Sequence, residues 1–524
     1  MKRRFISLTL VAITLALNFT GCQRAPEEIT MESTEKETIK TEKVTIDKSE
    51  LGNPILGFND KGKLTYGGDP AALVDGDTVY LYTGHDTATN ESYVIPEWQC
   101  YSTKDMINWT YEGVVLKAGA ISWADRNSAW AGQVTKHYDK ESGKDMYYFY
   151  TCSWSNKDNG KQSIGVAVSE SPTGPFTDIG HELVKGSFTT DETSTWNDID
   201  PTVWFETDEN GEEHRYLAWG NSKLYVCELN EDMTSVKDLD GDGQIVFGKD
   251  VLSKKAPEEF TEAPWIYRRQ DENGNYYGDY YLFYAYGWRE QMAYATTDDL
   301  IYGDYEFQGV IMKPTATSNT NHMSVIDFKG ETYFIYHNGT LKRGSGYRRV
   351  ACVEKLVFNE DGSVPYIEET ATGISGKKYT ITALNGDVVC HEHYTNSSDD
   401  GKYPYTSVDV GSGLKNTVEA DTWWEIVPGK LDTKNESYVS IEAYNKPGLY
   451  FTGATKAIKL SQDHTGSMST TQTFKTVKGL AGDGVSFESL NQPGRFITLV
   501  SGKLILTDGS DPVACSFKIE EVKE

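Results

Sequence analysis

Met146-Tyr147-Tyr148-Phe149-Tyr150-Thr151 is a short run of apolar and aromatic residues with no helical spacing, and its kind recurs. Thr78-Val79-Tyr80-Leu81-Tyr82-Thr83 and Arg215-Tyr216-Leu217-Ala218-Trp219 share its character. So do Tyr280-Tyr281-Leu282-Phe283-Tyr284-Ala285 and Thr332-Tyr333-Phe334-Ile335-Tyr336-His337. Aromatic and β-branched runs of this length between Gly, Asp and Asn read as strands. Several lead into a second such run, as in Ser163-Ile164-Gly165-Val166-Ala167-Val168-Ser169 and Gln291-Met292-Ala293-Tyr294-Ala295-Thr296. Five units of roughly 60 residues suit blades of about four short strands, so residues 51–374 are expected to form a five-bladed β-propeller. A large β-sandwich would not explain the repetition.

Three acidic stretches interrupt this pattern in a regular way. They are Gly67-Gly68-Asp69-Pro70-Ala71, Trp196-Asn197-Asp198-Ile199-Asp200-Pro201-Thr202-Val203-Trp204 and Phe260-Thr261-Glu262-Ala263-Pro264-Trp265. Each sets a carboxylate one or two residues before a proline that precedes an apolar run. Proline lacks an N–H and has a fixed φ, so it suits the start of a strand and not its middle. Carboxylates recurring at strand starts would gather at one end of a repeating β structure, where acid/base chemistry on a sugar can be built.

Composition bounds the alternatives. A net charge of −28 argues against a nucleic-acid surface, which needs clustered Lys and Arg. The 33 Tyr and 12 Trp suit either sugar stacking or ordinary strand packing. Residues 1–22 read as a signal segment: Met1-Lys2-Arg3-Arg4 is basic, Phe5 to Phe19 is mostly apolar, and Thr20-Gly21-Cys22 ends it. Gly-Cys here resembles a bacterial lipoprotein signal, which would lipidate Cys22 and anchor a protein exported across the inner membrane to the cell surface. Residues 23–50 are Glu/Lys/Thr-rich and read as a disordered tether. The six other cysteines are widely spaced and show no metal-binding pattern.

Together the three acidic stretches resemble glycoside hydrolase family 43, with Tyr82-Thr83-Gly84-His85-Asp86, Tyr101 to Trp109 and Asn321-His322-Met323-Ser324-Val325 in support. The resemblance implies a five-bladed propeller and inverting hydrolysis of arabinofuranosides or xylosides. It assigns Asp69 as general base, Asp200 as the carboxylate that raises and orients the acid, and Glu262 as general acid. Read as residues alone, Asp69 could cap a turn before Pro70, and Asp198 competes with Asp200. The chemistry agrees with the family roles. An inverting enzyme activates water on one face of the sugar and protonates the leaving oxygen on the other. A nearby carboxylate keeps the acid protonated through like-charge repulsion.

The resemblance also implies that His322 lies near the propeller axis, where a structural calcium is the one ion it leaves open; no other cofactor is expected. It brings Arg348 to the site, and Trp130 as a sugar contact, although Gly132-Gln133 departs from the family's usual residues there. Trp98, Trp154 and Trp288 are candidate stacking platforms. Asp238-Leu239-Asp240-Gly241-Asp242-Gly243 lacks the downstream Glu of a calcium loop and reads as an acidic turn.

Residues 375–524 carry an internal repeat. Ser440-Ile441-Glu442-Ala443-Tyr444-Asn445-Lys446-Pro447-Gly448 is matched by Ser486-Phe487-Glu488-Ser489-Leu490-Asn491-Gln492-Pro493-Gly494, with a weaker first copy ending near Trp424-Glu425-Ile426. Three β copies suggest a β-trefoil. The pattern resembles the arabinose-binding module of family 42, which implies sugar-binding acidic residues at Asp463 and Asp508. The sequence thus leads to an exo-acting α-L-arabinofuranosidase on plant cell-wall arabinan or arabinoxylan, touching a membrane only through its lipid. A β-xylosidase and a non-catalytic surface glycan-binding protein are the alternatives.

Overall fold

The structure, a computed structural model, describes residue 39 and residues 41–523 apart from 50, 194, 209, 394–406 and 464. Cys22 and the expected signal segment lie outside the described residues, as does most of the expected tether.

From Gly67 to Leu356 the chain forms five antiparallel sheets, each of strands consecutive in sequence. Blade one comprises Gly67–Asp75, Thr78–His85, Glu97–Thr103 and Thr110–Lys117. Blade two comprises Gly132–Asp139, Lys144–Trp154, Gln162–Ser169 and Thr177–Asp178. Blade three comprises Thr202–Thr207, Glu213–Trp219, Leu224–Glu228 and Val251–Lys254. Blade four comprises Phe260–Gln270, Tyr276–Tyr286, Gln291–Thr297 and Glu306–Met312, and blade five Ser324–Phe328, Glu331–Asn338 and Val350–Leu356. This is the five-bladed β-propeller expected from the repeats.

All five aromatic runs form the second strand of their blade. Neighbouring blades cover such a strand on both faces, so it needs no polar alternation. Leu81, Phe149, Leu217, Phe283 and Phe334 are accordingly buried completely. The first strands adjoin one another around the axis, and Asp69, Asp200 and Glu262 sit at the N-terminal ends of three of them.

Blade five has only three strands, and the chain's earlier residues cover its outer edge. Ile55 N–H donates to Ala351 O at 3.0 Å. The buried Asn53 side chain accepts from Val353 N–H at 2.9 Å and donates to Thr370 O at 3.0 Å. Residues from the start of the propeller therefore satisfy the backbone of its last sheet, which would otherwise present an open edge.

Lys378 to Glu521 forms a second, twelve-stranded antiparallel β domain. The strands fall into three successive sets of four: Lys378 to Pro428, Tyr438 to Lys478 and Val485 to Glu521. Ile441 and Phe487, equivalent in the sequence repeat, are both buried in its core. The C-terminal part of the expected tether is ordered against this domain. Lys478 N–H donates to Glu42 O and Val44 N–H to Thr476 O, while Ser49 N–H donates to Ile426 O at 2.7 Å. Ile46 packs on the domain's core. The disordered reading therefore fails for residues 42–49, where β-branched Val44 and Ile46 alternate with polar residues and add an edge segment. The six described cysteines are free and buried.

Replacing Asn53 with Ala leaves buried backbone groups of blade five without partners. We expect a loss of about 1–3 kcal/mol, read as a lower melting temperature for the propeller. An unchanged melting temperature would show that this edge contact does not hold the ring.

Candidate active site

The three carboxylates arrive on strained backbone. Asp69, Asp200 and Ala263, which follows Glu262, have φ of 55°, 59° and 58°. Aspartate tolerates this left-handed region better than most residues, whereas alanine has no side-chain compensation. Such strain persists where the surroundings over-determine it, and here it turns each carboxylate into the axial end of the propeller. The strand register shifts between Gly68 and Ala71 and again around Glu262, which marks the same local distortion.

All three line one cavity of about 490 Å³, together with Tyr93, Trp130 and Arg349. Tyr347, Tyr93, Trp130 and Trp196 line one side of it, and Trp154 packs between the last two, with successive ring centroids 4.9–6.4 Å apart. Trp288, 74% exposed, stands at the cavity too. Trp98 is fully buried and donates its indole N–H to Trp130 O, so it supports that loop and offers no platform.

Asp69 Oδ1 accepts from Arg349 Nη1 at 2.6 Å, and Asp69 N–H donates to His337 Nδ1 at 3.1 Å. Burial pushes the Asp69 carboxyl up, but the charge and the hydrogen bond of Arg349 hold it below the usual carboxylate value. It is therefore ionised at neutral pH. Burial takes His337 down to about 3, so its ring is neutral, accepting at Nδ1 and donating from Nε2 to Thr320 O at 2.8 Å.

Asp200 Oδ2 accepts from Ala263 N–H at 3.0 Å, which ties blade three to blade four beside Glu262. Burial, then the charges of Glu262 and Asp69, push the Asp200 carboxyl well above its ordinary value. Asp198, its competitor in the sequence, is held away from the cavity by Thr189 Oγ1 at 2.7 Å and Trp219 Nε1 at 2.8 Å. Glu262 accepts from Asn221 Nδ2 at 2.7 Å. Burial raises Glu262 to about 7, with Asp69 adding to the rise against the pull of Asn221 and Arg349. One carboxylate is thus held ionised and another raised toward its neutral form within a single cavity, the kind of separation that acid/base catalysis uses.

The arginine differs from the expectation. Arg348 turns away, donating to Arg343 O at 2.6 Å and Ala88 O at 3.0 Å. It closes a bridge with Ser345, and the alternation of extended backbone then sends the next side chain, Arg349, into the site. Arg349 is 2% exposed and meets Asp86 through both Nε and Nη2, at 3.0 and 3.1 Å. The sequence reading also missed Asn221, Tyr93 and Glu290, which line the cavity.

His322 lies 3.8 Å from Asp200 Oδ2 through Nδ1, and burial lowers it to about 4, leaving the ring neutral. Calcium takes six to eight oxygen ligands. Among the described residues the acidic groups whose ligand atoms converge are Asp208 with Glu212 and His214, and Asp238 with Asp240 and Asp250. Neither includes His322. The Asp238–Asp250 turn spends its carboxylates on its own backbone N–H groups and on Lys249.

In the C-terminal domain, Asp463 is buried with both oxygens accepting from the backbone of Ser467 and Met468. Asp508 is exposed and accepts from Ser510 N–H. A cavity of about 600 Å³ that this domain shares with the propeller is lined instead by Trp423, Tyr444, Asn445 and His393.

A Cβ added to Gly68 would lie 2.3 Å from the Arg349 guanidinium. We expect Gly68→Ala to displace Arg349 and lower kcat/KM about 100-fold with an unchanged circular dichroism spectrum. Full activity in this variant would show that the guanidinium's position is not needed.

A model of an α-L-arabinofuranosidase B domain matches residues 387–516. An arabinoxylan arabinofuranohydrolase of Paenibacillus polymyxa is 29% identical over 345 residues, covering 59% of this chain and 51% of the relative. This chain therefore spans about half the length of that relative. A xylosidase/arabinosidase of Bacteroides ovatus is 30% identical over 343 residues, covering 58% of this chain and 95% of its own. A solved family-43 α-L-arabinofuranosidase from Clostridium thermocellum is 30% identical, with a TM-score of 0.45, over 58% of this chain and 94% of its own. The model of glycosyl hydrolases family 43 matches residues 64–364, more than half of the sequence, and the chain belongs to that family.

Proposed function

We propose that this glycoside hydrolase is an exo-acting, inverting α-L-arabinofuranosidase that releases arabinose from arabinan or arabinoxylan. The observation that carries the mechanism is the opposite poise of two carboxyls in one cavity: Asp69 ionised beside Arg349, Glu262 raised by burial. Asp69 accepts a proton from a water, whose oxygen attacks the anomeric carbon. The bond to the leaving oxygen breaks as Glu262 delivers its proton there. Solvent then takes the proton from Asp69 and restores that of Glu262, so the enzyme ends unchanged. Asp200, hydrogen-bonded to Ala263 N–H, contributes as the residue that orients Glu262.

Arabinose is supported by the match to an arabinofuranosidase B domain and by the arabinofuranohydrolase relative. We read the three sets of four strands as the lobes of a β-trefoil that holds arabinose-bearing chains near the propeller. β-Xylosidase activity is the second reading, favoured by the relative named for both activities. Export and anchoring through Cys22 complete the proposal, placing the enzyme where polymer is met.

The direct test compares an α-L-arabinofuranoside and a β-D-xyloside bearing the same chromogenic leaving group. Dominant arabinoside turnover is expected, and dominant xyloside turnover would move the assignment to β-xylosidase. Glu262→Gln should lower kcat on the better substrate by about 100- to 10,000-fold while polysaccharide binding persists. Retained turnover would remove Glu262 from the acid's role.

A further inference from the structure

The C-terminal domain meets the propeller at a point that the scheme above does not use. Gln462 follows the strand Lys459–Ser461 and is 7% exposed. Its side-chain amide donates to Gly339 O and to Thr317 Oγ1, both at 3.2 Å. These acceptors belong to two separate segments of the propeller. Thr317 lies in the residues that lead into the first strand of blade five, and Gly339 in the connection between its second and third strands. The first segment carries Asn319 and Thr320, and the second carries Tyr347 and Arg349. All four line the catalytic cavity.

The two segments are also held to each other. Gly339 N–H donates to Ala316 O at 2.8 Å, and Gly346 lies against the Asn319 side chain with no room for a Cβ. Thr315 Oγ1 lies 2.8 Å from His337 O, two residues before Gly339. His337 in turn meets Asp69 N–H and Thr320 O through its two ring nitrogens. Ala316 is buried in the core of the C-terminal domain, so the anchor is apolar as well as polar. The internal repeat shows that this face is specialised. The position equivalent to Gln462 in the last copy is Asp508, which is exposed. A Cβ on Gly448 would lie 3.0 Å from Thr340 of the propeller, whereas its equivalent, Gly494, faces open space.

We propose that Gln462 is a positioning residue for catalysis, through which the C-terminal domain clamps the two segments that form the Tyr347–Arg349 wall of the cavity. This role is independent of any sugar that the domain itself binds. A buried amide bridging two segments fixes their separation, because breaking either bond leaves a buried oxygen without its donor. Groups that hold a reacting sugar or water lose rate steeply when displaced by even an ångström or so.

The better of the two chromogenic glycosides tests this, because a monosaccharide glycoside gains nothing from a chain held on the C-terminal domain. Gln462→Met keeps the side chain's bulk and removes the amide. Well below the melting temperature, its kcat/KM should fall about 10-fold, mostly in kcat, since the contacts lead through His337 to Asp69. Thr317→Ala, which removes one of the two acceptors, should lose about threefold, and Thr317→Ser should restore most of that loss. A merely structural contact would lower the melting temperature and leave kcat/KM unchanged; that result would overturn the proposal. Loss confined to polysaccharide, with the small glycoside cut at full rate, would overturn it too and assign Gln462 to chain binding. The Thr317 pair decides the matter if Gln462→Met does not fold. The proposal requires that the glycoside is cut in this cavity, and turnover retained by Asp69→Asn would fail that assignment instead.

Discussion

One buried guanidinium organises the catalytic end of the propeller. Arg349 grips Asp86 with two nitrogens and reaches Asp69 with a third. A buried charge is costly unless paired and hydrogen-bonded, and the planar fork of arginine matches a carboxylate as lysine cannot. Four carboxyls, those of Asp69, Asp86, Asp200 and Glu262, lie within the influence of this single cation. Asp69 has a direct bond to Arg349 and is held low, whereas Glu262 has no such bond and is driven upward by burial. In the proposed mechanism, proximity to this fixed charge separates the base, Asp69, from the acid, Glu262. The same demand fixes Gly68, whose missing side chain is the space the guanidinium occupies.

The propeller makes this possible by geometry. Each first strand faces the axis and starts at the same end, so residues as far apart in sequence as Asp69, Asp200 and Glu262 converge. The positive φ values at Asp69, Asp200 and Ala263 show that the convergence is held by the fold and not by local preference. Sandwiched second strands supply the rigid packing that sustains this strain, and Asn53 ties the ring shut across its last blade. The C-terminal domain is joined to the same body. Gln462 donates to Gly339 O and Ala371 N–H to Tyr444 O, so its cavity near Trp423 has propeller residues in its wall.

The elements legible in the sequence are those whose environment is uniform along the segment. A strand covered on both faces must be apolar throughout, and for that reason Met146–Thr151 and its four counterparts could be read directly. Asp69, Asp200 and Glu262 were legible because each lies close to a proline at a strand start. Arg349 was not, since choosing it over Arg348 depends on the parity set by the Ser345–Arg348 bridge, a one-residue matter invisible in composition. Glu290 follows Trp288-Arg289 in a hairpin and looks like a solvated charge; only the approach of Asn321 from another blade buries it. Residues 42–49 were misjudged because their charges outnumber Val44 and Ile46, although alternation, not charge, was the informative signal there.

The central claim is a single displacement, with Asp69 activating water on the face opposite Glu262. Proton NMR of the first sugar released from an α-L-arabinofuranoside, recorded before mutarotation, tests it most directly. The account predicts that β-L-arabinofuranose appears first. Initial release of the α-anomer would mean retention through a covalent intermediate, and would contradict the roles assigned to both carboxyls.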